Sequence, residues 1–86
     1  DAPRFNAASE LYTLIHELAH AAAVDEHHGL GWQVVHAEAV LEATGIAIPR
    51  AASNYRVLCS AGRAAVRSWW TTSGNEFLLG LSGVAA

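Results

Sequence analysis

The chain has 86 residues, of which 52% are apolar and 15% are charged. This length and composition predict one small soluble domain, residues 1–86, because a second hydrophobic core needs a longer chain. The formal charge of −3 indicates no global attraction to nucleic acid or to an anionic membrane. A single cysteine, Cys59, excludes an internal disulfide and a four-cysteine zinc ribbon, and we interpret it as a small buried hydrophobe.

The two ends of the sequence carry little targeting information. The longest apolar run, residues 77–86, is far short of the ~20 residues that a membrane span needs, so we expect no membrane partner. The first residues, from Asp1 to Arg4, do not form the basic and apolar segments of a signal peptide. A start without Met leads us to expect a processed chain or a fragment of a longer one.

The first predicted element is a helix over residues 7–24, capped by Asn6. Apolar residues recur in it at helical spacing and predict a stripe that faces a core: Leu11, Leu14, Ile15, Leu18 and Ala22. Residues 25–31, which contain two Gly and two His, predict a tight turn.

Two further helices complete a mainly α fold. The second spans residues 32–44 and ends at Gly45, with a buried face formed by Trp32, Val35, Ala39, Val40 and Ala43. After a short extended connection over residues 46–49, Ser53 or Asn54 caps a third helix that ends near Trp70. Its predicted buried stripe is Leu58, Ala61, Ala65 and Trp69. Residues 71–74 predict a turn, and residues 75–81 a short helix that covers the core with Phe77, Leu78 and Leu81.

The first helix contains an HExxH pattern, from His16 to His20. Two imidazoles four residues apart lie one above the other on a helix, so both can reach one tetrahedral metal. Glu17 is then placed to take a proton from a bound water. With five His and six Glu in the chain, about 0.02 accidental matches are expected. A helical wheel places the two histidines opposite the Leu11 stripe, which predicts that one side of the helix packs and the other faces a cleft.

A catalytic zinc site needs a third protein ligand, and four residues downstream compete for this role. Glu26 has the wrong residue type for the metzincin arrangement, Glu38 lies on a polar helix face with Glu42, and His36 suits a supporting or substrate-binding role better. His28 is the strongest candidate, because Gly29 lets the backbone approach the metal and Trp32 anchors the next helix beneath it.

HExxH followed by His, Gly, two residues and an aromatic resembles the signature of SprT-like (Spartan-type) zinc metallopeptidases. The resemblance covers about residues 11–45, with the second half of the signature at residues 28–32. It implies a zincin-like helix pair in which His16, His20 and His28 bind Zn²⁺. It further implies Glu17 as the general base for peptide hydrolysis and a protein or peptide substrate, and some members of the family cleave proteins crosslinked to DNA.

The chain departs from the family pattern in three places. The segment between His20 and His28 is shorter than in many members, and the family's C-terminal zinc ribbon has no counterpart. Only about six residues precede the predicted metal helix, so we expect the family's substrate-holding sheet to be absent or to lie outside this chain. Tyr12, His27, His36 and Tyr55 remain unranked candidates for a transition-state donor or for a group that supports the ligands.

Three arginines on the third helix form a separate pattern. Arg56, Arg63 and Arg67 lie within about 40° of one another on a helical wheel, with Trp70 beside them. Such a stripe could contact phosphates and stack a base, or could be a hydrated face. Two alternatives to the peptidase therefore remain: a zinc-stabilised assembly subunit without activity, with residues 77–86 as its interface, and a DNA-binding regulator that uses the arginines.

Overall fold

A computed structural model describes residues 2–23 and 27–74, with only the backbone course for residues 2–6 and 74. Its helices are α1 (Ala2–Ala22), α2 (Leu30–Thr44) and α3 (Tyr55–Trp69). A single π-helical turn, Trp70–Gly74, follows α3 directly, where the sequence predicted an ordinary turn. The described part of the chain contains no strand, and the predicted mainly α fold is confirmed. The predicted helix over residues 75–81 lies outside the described residues.

Helix α1 is longer at its start than the sequence predicted. It begins at Ala2, so Asn6 lies within the helix and the prediction that it caps the helix was wrong. Pro3 is compatible with this start, because the first turn of a helix does not use the backbone N–H that proline lacks. The helix ends at Ala22, two residues before the predicted end.

The buried face of α1 also differs from the predicted stripe. Ala8, Tyr12, Ile15 and Ala19 are almost fully buried, whereas Leu14 and Leu18 are 55% and 57% exposed. The face that carries the HExxH histidines therefore packs against the other helices, and the prediction that Leu14 and Leu18 pack was wrong, although His16 also lines a cavity, as expected for a side that faces a cleft. Part of the space that leucines would fill in an ordinary bundle is occupied by Tyr12 and the imidazoles.

The ends of α2 and α3 follow from local chemistry. Gly45 adopts φ 74° at the C-terminus of α2, a left-handed conformation that glycine reaches without a steric penalty, and its N–H donates to the carbonyl of Leu41. Asn54 caps α3 by accepting a hydrogen bond from the backbone N–H of Arg56. Of the two predicted caps, Asn54 is thus the one used. Helix α2 begins at Leu30, two residues before the predicted start.

Each of the three helices packs against the other two. The core between them is formed by one cluster of buried side chains: Tyr12, Ile15, Ala19, Trp32, Val40, Cys59, Ala65 and Val66. Trp32 and Val40 are fully buried as predicted, but Ala43 is exposed. Cys59 is buried, in agreement with its interpretation as a small hydrophobe. None of the helices in the described part of the chain is long and apolar enough to cross a membrane.

Candidate metal centre

Three imidazole rings converge where the C-terminal half of α1 meets the start of α2. The Nε2 atom of His20 lies 3.2 Å from Nε2 of His16 and 3.1 Å from Nε2 of His28. The third side of the triangle, between Nε2 of His28 and Nε2 of His16, is 3.3 Å. The structure thus brings together the three residues that the sequence singled out, and this group could hold a metal ion.

The spacing of the three nitrogens fits one tetrahedral ion. Two nitrogens that are each about 2.0–2.1 Å from a zinc ion lie about 3.3–3.4 Å apart in tetrahedral geometry. The observed separations of 3.1–3.3 Å are close to this value. A neutral imidazole has one acceptor nitrogen, and three acceptors this close repel one another unless a cation or proton lies between them. The donor set is therefore suited to a metal ion.

Aromatic rings hold the histidines in place. Trp32, fully buried, lies with its ring centroid 5.0, 5.4 and 4.7 Å from those of His16, His20 and His28. Tyr55, at the first position of α3, stacks on His28 with centroids 3.9 Å apart and planes only 7° apart. The His28 ring is therefore fixed between α2 and α3, although His28 itself lies in the loop before α2.

Gln33 fixes the backbone of that loop. Its side chain is buried; the amide nitrogen donates to the carbonyl of His28 at 3.0 Å, and the amide oxygen accepts from the N–H of Ala52 at 3.1 Å. One side chain thus links the loop that carries the third histidine to the segment that leads into α3. This role of Gln33 was not predicted from the sequence, since a glutamine on a helix carries no distinctive signal.

Behind His16, a short chain of polar groups runs into the core. Nδ1 of His16 lies 3.4 Å from the Tyr12 hydroxyl, which lies 2.8 Å from Nε2 of His36. A His16 ring that keeps Nε2 free for an ion carries its proton on Nδ1, which then donates to Tyr12, and the Tyr12 hydroxyl donates to His36. Tyr12 and His36 are therefore placed to orient the His16 ring from behind, which fits one of the two roles that the sequence left open for them.

The surroundings favour neutral imidazoles, the form that binds metals. Burial lowers the pKa of His16, and the neighbouring His20 and His28 lower it further. Burial also lowers the pKa of His28, with added effects of His20 and His27. The fully buried His36 has a pKa lowered to about 4, mainly by burial. Burial, followed by the adjacent Cys59, raises the pKa of Tyr12, so its hydroxyl keeps its proton at neutral pH.

A cavity of about 440 Å³ opens between the histidine cluster and α3. His16 and His28 form one wall, and the other wall is formed by residues of α3: Tyr55, Arg56, Cys59, Ser60 and Arg63. The guanidinium carbon of Arg63 lies 5.0 Å from the centroid of the Tyr12 ring. The sequence suggested a separate stripe of Arg56, Arg63 and Arg67, whereas in the structure Arg56 and Arg63 line the cavity beside the histidines.

The remaining candidates occupy different places. Glu17 is exposed on α1 next to His16, and its negative charge partly opposes the lowering of the pKa values of His16 and His28. His27 is exposed and does not line the cavity. Glu38 forms an ion pair with Arg50 at 2.9 Å, between side chains that are both more than half exposed, so it is not a ligand of this cluster. Glu26 lies outside the described residues.

Comparisons of the chain with family models, with curated proteins and with solved structures find no match. The resemblance to SprT-like metallopeptidases therefore rests only on the residues of the two half-motifs in the sequence.

Proposed function

We propose that the chain is a zinc metallopeptidase in which His16, His20 and His28 bind the ion and Glu17 is the general base. The observation that supports this most is the triangle of Nε2 atoms, 3.1–3.3 Å on each side, formed by two residues of an HExxH helix and one from the following loop. Imidazole nitrogens suit zinc among several transition metals, and a set of three protein ligands leaves a coordination position open for substrate chemistry.

The chemistry divides between the ion and the side chains. Bound zinc would supply Lewis-acid polarisation and a water of lowered pKa. Glu17, whose charge acts on both His16 and His28, accepts a proton from the attacking water and returns it to the leaving amine. Tyr12 and His36 hold the orientation of His16, while Gln33 and Tyr55 hold that of His28.

Tyr55 is the best placed of the four candidate transition-state donors. It lines the cavity, whereas Tyr12 and His36 are buried behind His16 and His27 lies outside. A phenol group on the cavity wall can donate a hydrogen bond to the oxyanion that forms when a peptide carbonyl is attacked. Replacement of Tyr55 by phenylalanine keeps the ring that stacks on His28 and removes only this hydroxyl.

The decisive experiment compares Glu17→Gln with the unmodified chain and with Glu10→Gln, a control on the exposed face of the same helix. All three should bind one equivalent of zinc, as measured by elemental analysis, and should unfold at similar temperatures. Hydrolysis of an unfolded protein should fall by at least ~10²- to 10⁴-fold in Glu17→Gln only, because this variant lacks the base. Equal hydrolysis rates in the two variants would refute the role of Glu17.

Two observations favour a second candidate, a zinc-stabilised assembly subunit without activity. Glu17 is not among the residues that line the cavity, and Leu14 and Leu18 expose apolar surface on α1. In that case the ion contributes only to folding, as in structural zinc sites. A zinc-loaded chain that cleaves no unfolded or DNA-bound protein, yet loses its fold when zinc is removed, would favour this second function.

A further inference from the structure

The two walls of the cavity carry basic side chains. Apart from Cys59 and Tyr55, the ionisable residues that line it are two histidines and two arginines. Arg56 and Arg63 of α3 face the cavity that His16 and His28 close on the other side, and no carboxylate from residues 7–23 or 27–73 lines it. This local character is opposite in sign to the chain's formal charge of −3. A cation bound by the histidines would make the cavity more positive still.

The two guanidinium groups are available to a ligand. They are seven residues apart on α3, which places them on the same side of the helix and about 10 Å apart along its axis. Within residues 2–23 and 27–74 neither has a carboxylate partner, whereas Arg50 is paired with Glu38. Arg63 lies over the ring of Tyr12, next to His16, so its charge is fixed close to the histidines.

We propose that Arg56 and Arg63 form a subsite for a carboxylate of the substrate, so that the site prefers peptides with an acidic group close to the scissile bond. The planar fork of a guanidinium matches a carboxylate and forms two charge-assisted hydrogen bonds with it. The cavity volume of about 440 Å³ lies within the roughly 300–1,000 Å³ range of ligand sites. This inference rests on the proposed peptidase function for its substrate class.

A binding experiment tests the subsite without depending on turnover. Zinc-loaded Glu17→Gln protein is titrated with three fluorescent alanine-based peptides of equal length: one with a central Asp and an amidated end, one neutral with an amidated end, and one neutral with a free C-terminal carboxylate. At low ionic strength the Asp peptide or the free-carboxylate peptide should bind about tenfold more tightly than the neutral amide, as expected for a charge-assisted contact. Which of the two binds tightly shows whether the subsite takes a side chain or a chain end.

Variants then assign the preference to the two arginines. Arg56→Gln and Arg63→Gln, each in the Glu17→Gln background, should reduce the preference to about threefold or less, and Arg63→Lys should keep part of it because the charge remains. Arg50→Gln is the matched control, since Arg50 lies on the surface with Glu38 and should leave the preference unchanged. Circular dichroism checks that each variant is folded. If Arg63→Gln is not folded, the binding preferences of Arg56→Gln and Arg63→Lys decide whether the arginines form the subsite.

The outcomes separate this inference from the proposed function. Equal or undetectable binding of the three peptides, or a loss of preference in Arg50→Gln as large as in Arg56→Gln, would overturn the subsite. If the unmodified zinc-loaded chain cleaves peptides without any acidic preference, the subsite is wrong and the peptidase stands. If the unmodified chain cleaves no peptide, while the Glu17→Gln protein still shows the arginine-dependent binding preference, the subsite stands and the peptidase is wrong.

Discussion

Replacement of Gly62 by alanine should destabilise the protein, although alanine is the better helix former by about 1 kcal/mol. Gly62 is buried in the middle of α3, and a Cβ atom there would lie 2.8 Å from Cε1 of Tyr12 and 2.9 Å from Nε2 of His36. Neither ring is the free end of a flexible side chain, since they are hydrogen-bonded to each other at 2.8 Å within the core.

Two costs oppose the gain in helix propensity. Overpacking of a tight core costs roughly 1–3 kcal/mol, and displacement of the Tyr12–His36 hydrogen bond costs about 1 kcal/mol more. We therefore expect Gly62→Ala to lower the free energy of unfolding by about 1–3 kcal/mol, which corresponds to a fall in Tm on the order of 5–20 °C for a domain of this size. Because Tyr12 supports His16, the variant should also bind zinc more weakly.

Thermal and urea unfolding of the metal-free chain, followed by circular dichroism, measure this change. Ser68→Ala is the control: Ser68 is exposed on the same helix, so the substitution should be neutral or slightly stabilising. A Gly62→Ala protein as stable as the Ser68→Ala protein would show that α3 does not approach Tyr12 and His36 as closely as described. The packing that orients His16 would then need another explanation.

Two further predictions concern the ion. Replacement of His28 by alanine should lower zinc affinity at least 100-fold, more than the 10- to 100-fold typical of groups that only support a ligand. His27→Ala should change zinc affinity little, because His27 is exposed and outside the cluster. Equal losses of affinity in a competition titration would show that His28 is the wrong third ligand. When free zinc is held at about 100 times its Kd for the chain, removal of the zinc by a chelator should lower Tm on the order of 10–20 °C. This difference in Tm should shrink as the pH falls below 6.5, because protons then compete with zinc for His16 and His28. The lowered pKa values of these two histidines keep them neutral above that pH. Identical Tm values with and without chelator at neutral pH would show that the fold does not depend on the ion.

Local spacing in the sequence was enough to predict that His16 and His20, two of the three clustered histidines, lie together. His16 and His20 are four residues apart on one helix, and helix geometry alone brings their rings together. His28 needed more than spacing, namely the Gly29 and Trp32 that follow it; in the structure Trp32 does lie against all three histidines. Helix termini with strong side-chain or glycine signals, such as Gly45 and Asn54, were likewise predictable.

Hydropathy failed where polar groups take core positions. Leu14 and Leu18 suggested the wrong buried face for α1, because periodicity analysis assumes that leucine packs and histidine is solvated. The structure reverses this on one helix, since the HExxH histidines lie on the face of α1 that packs against α2 and α3 while the leucines are exposed. Contacts between helices were equally hidden: a helical wheel groups Arg63 with Arg56 but does not show that α3 turns both toward His16.

The two hydrogen bonds of Gln33 have a consequence for how the protein opens. They connect the loop before α2 with the segment before α3, so movement of either one breaks one of the two bonds that position the Gln33 side chain. Local openings in proteins occur in roughly contiguous cooperative units. Because Tyr55 also stacks on His28, we expect the His28 loop and the start of α3 to open as one such unit, with amide hydrogens in both exchanging with solvent together. We therefore expect the third histidine and the arginine-bearing wall of the cavity to separate and reassemble in the same opening event.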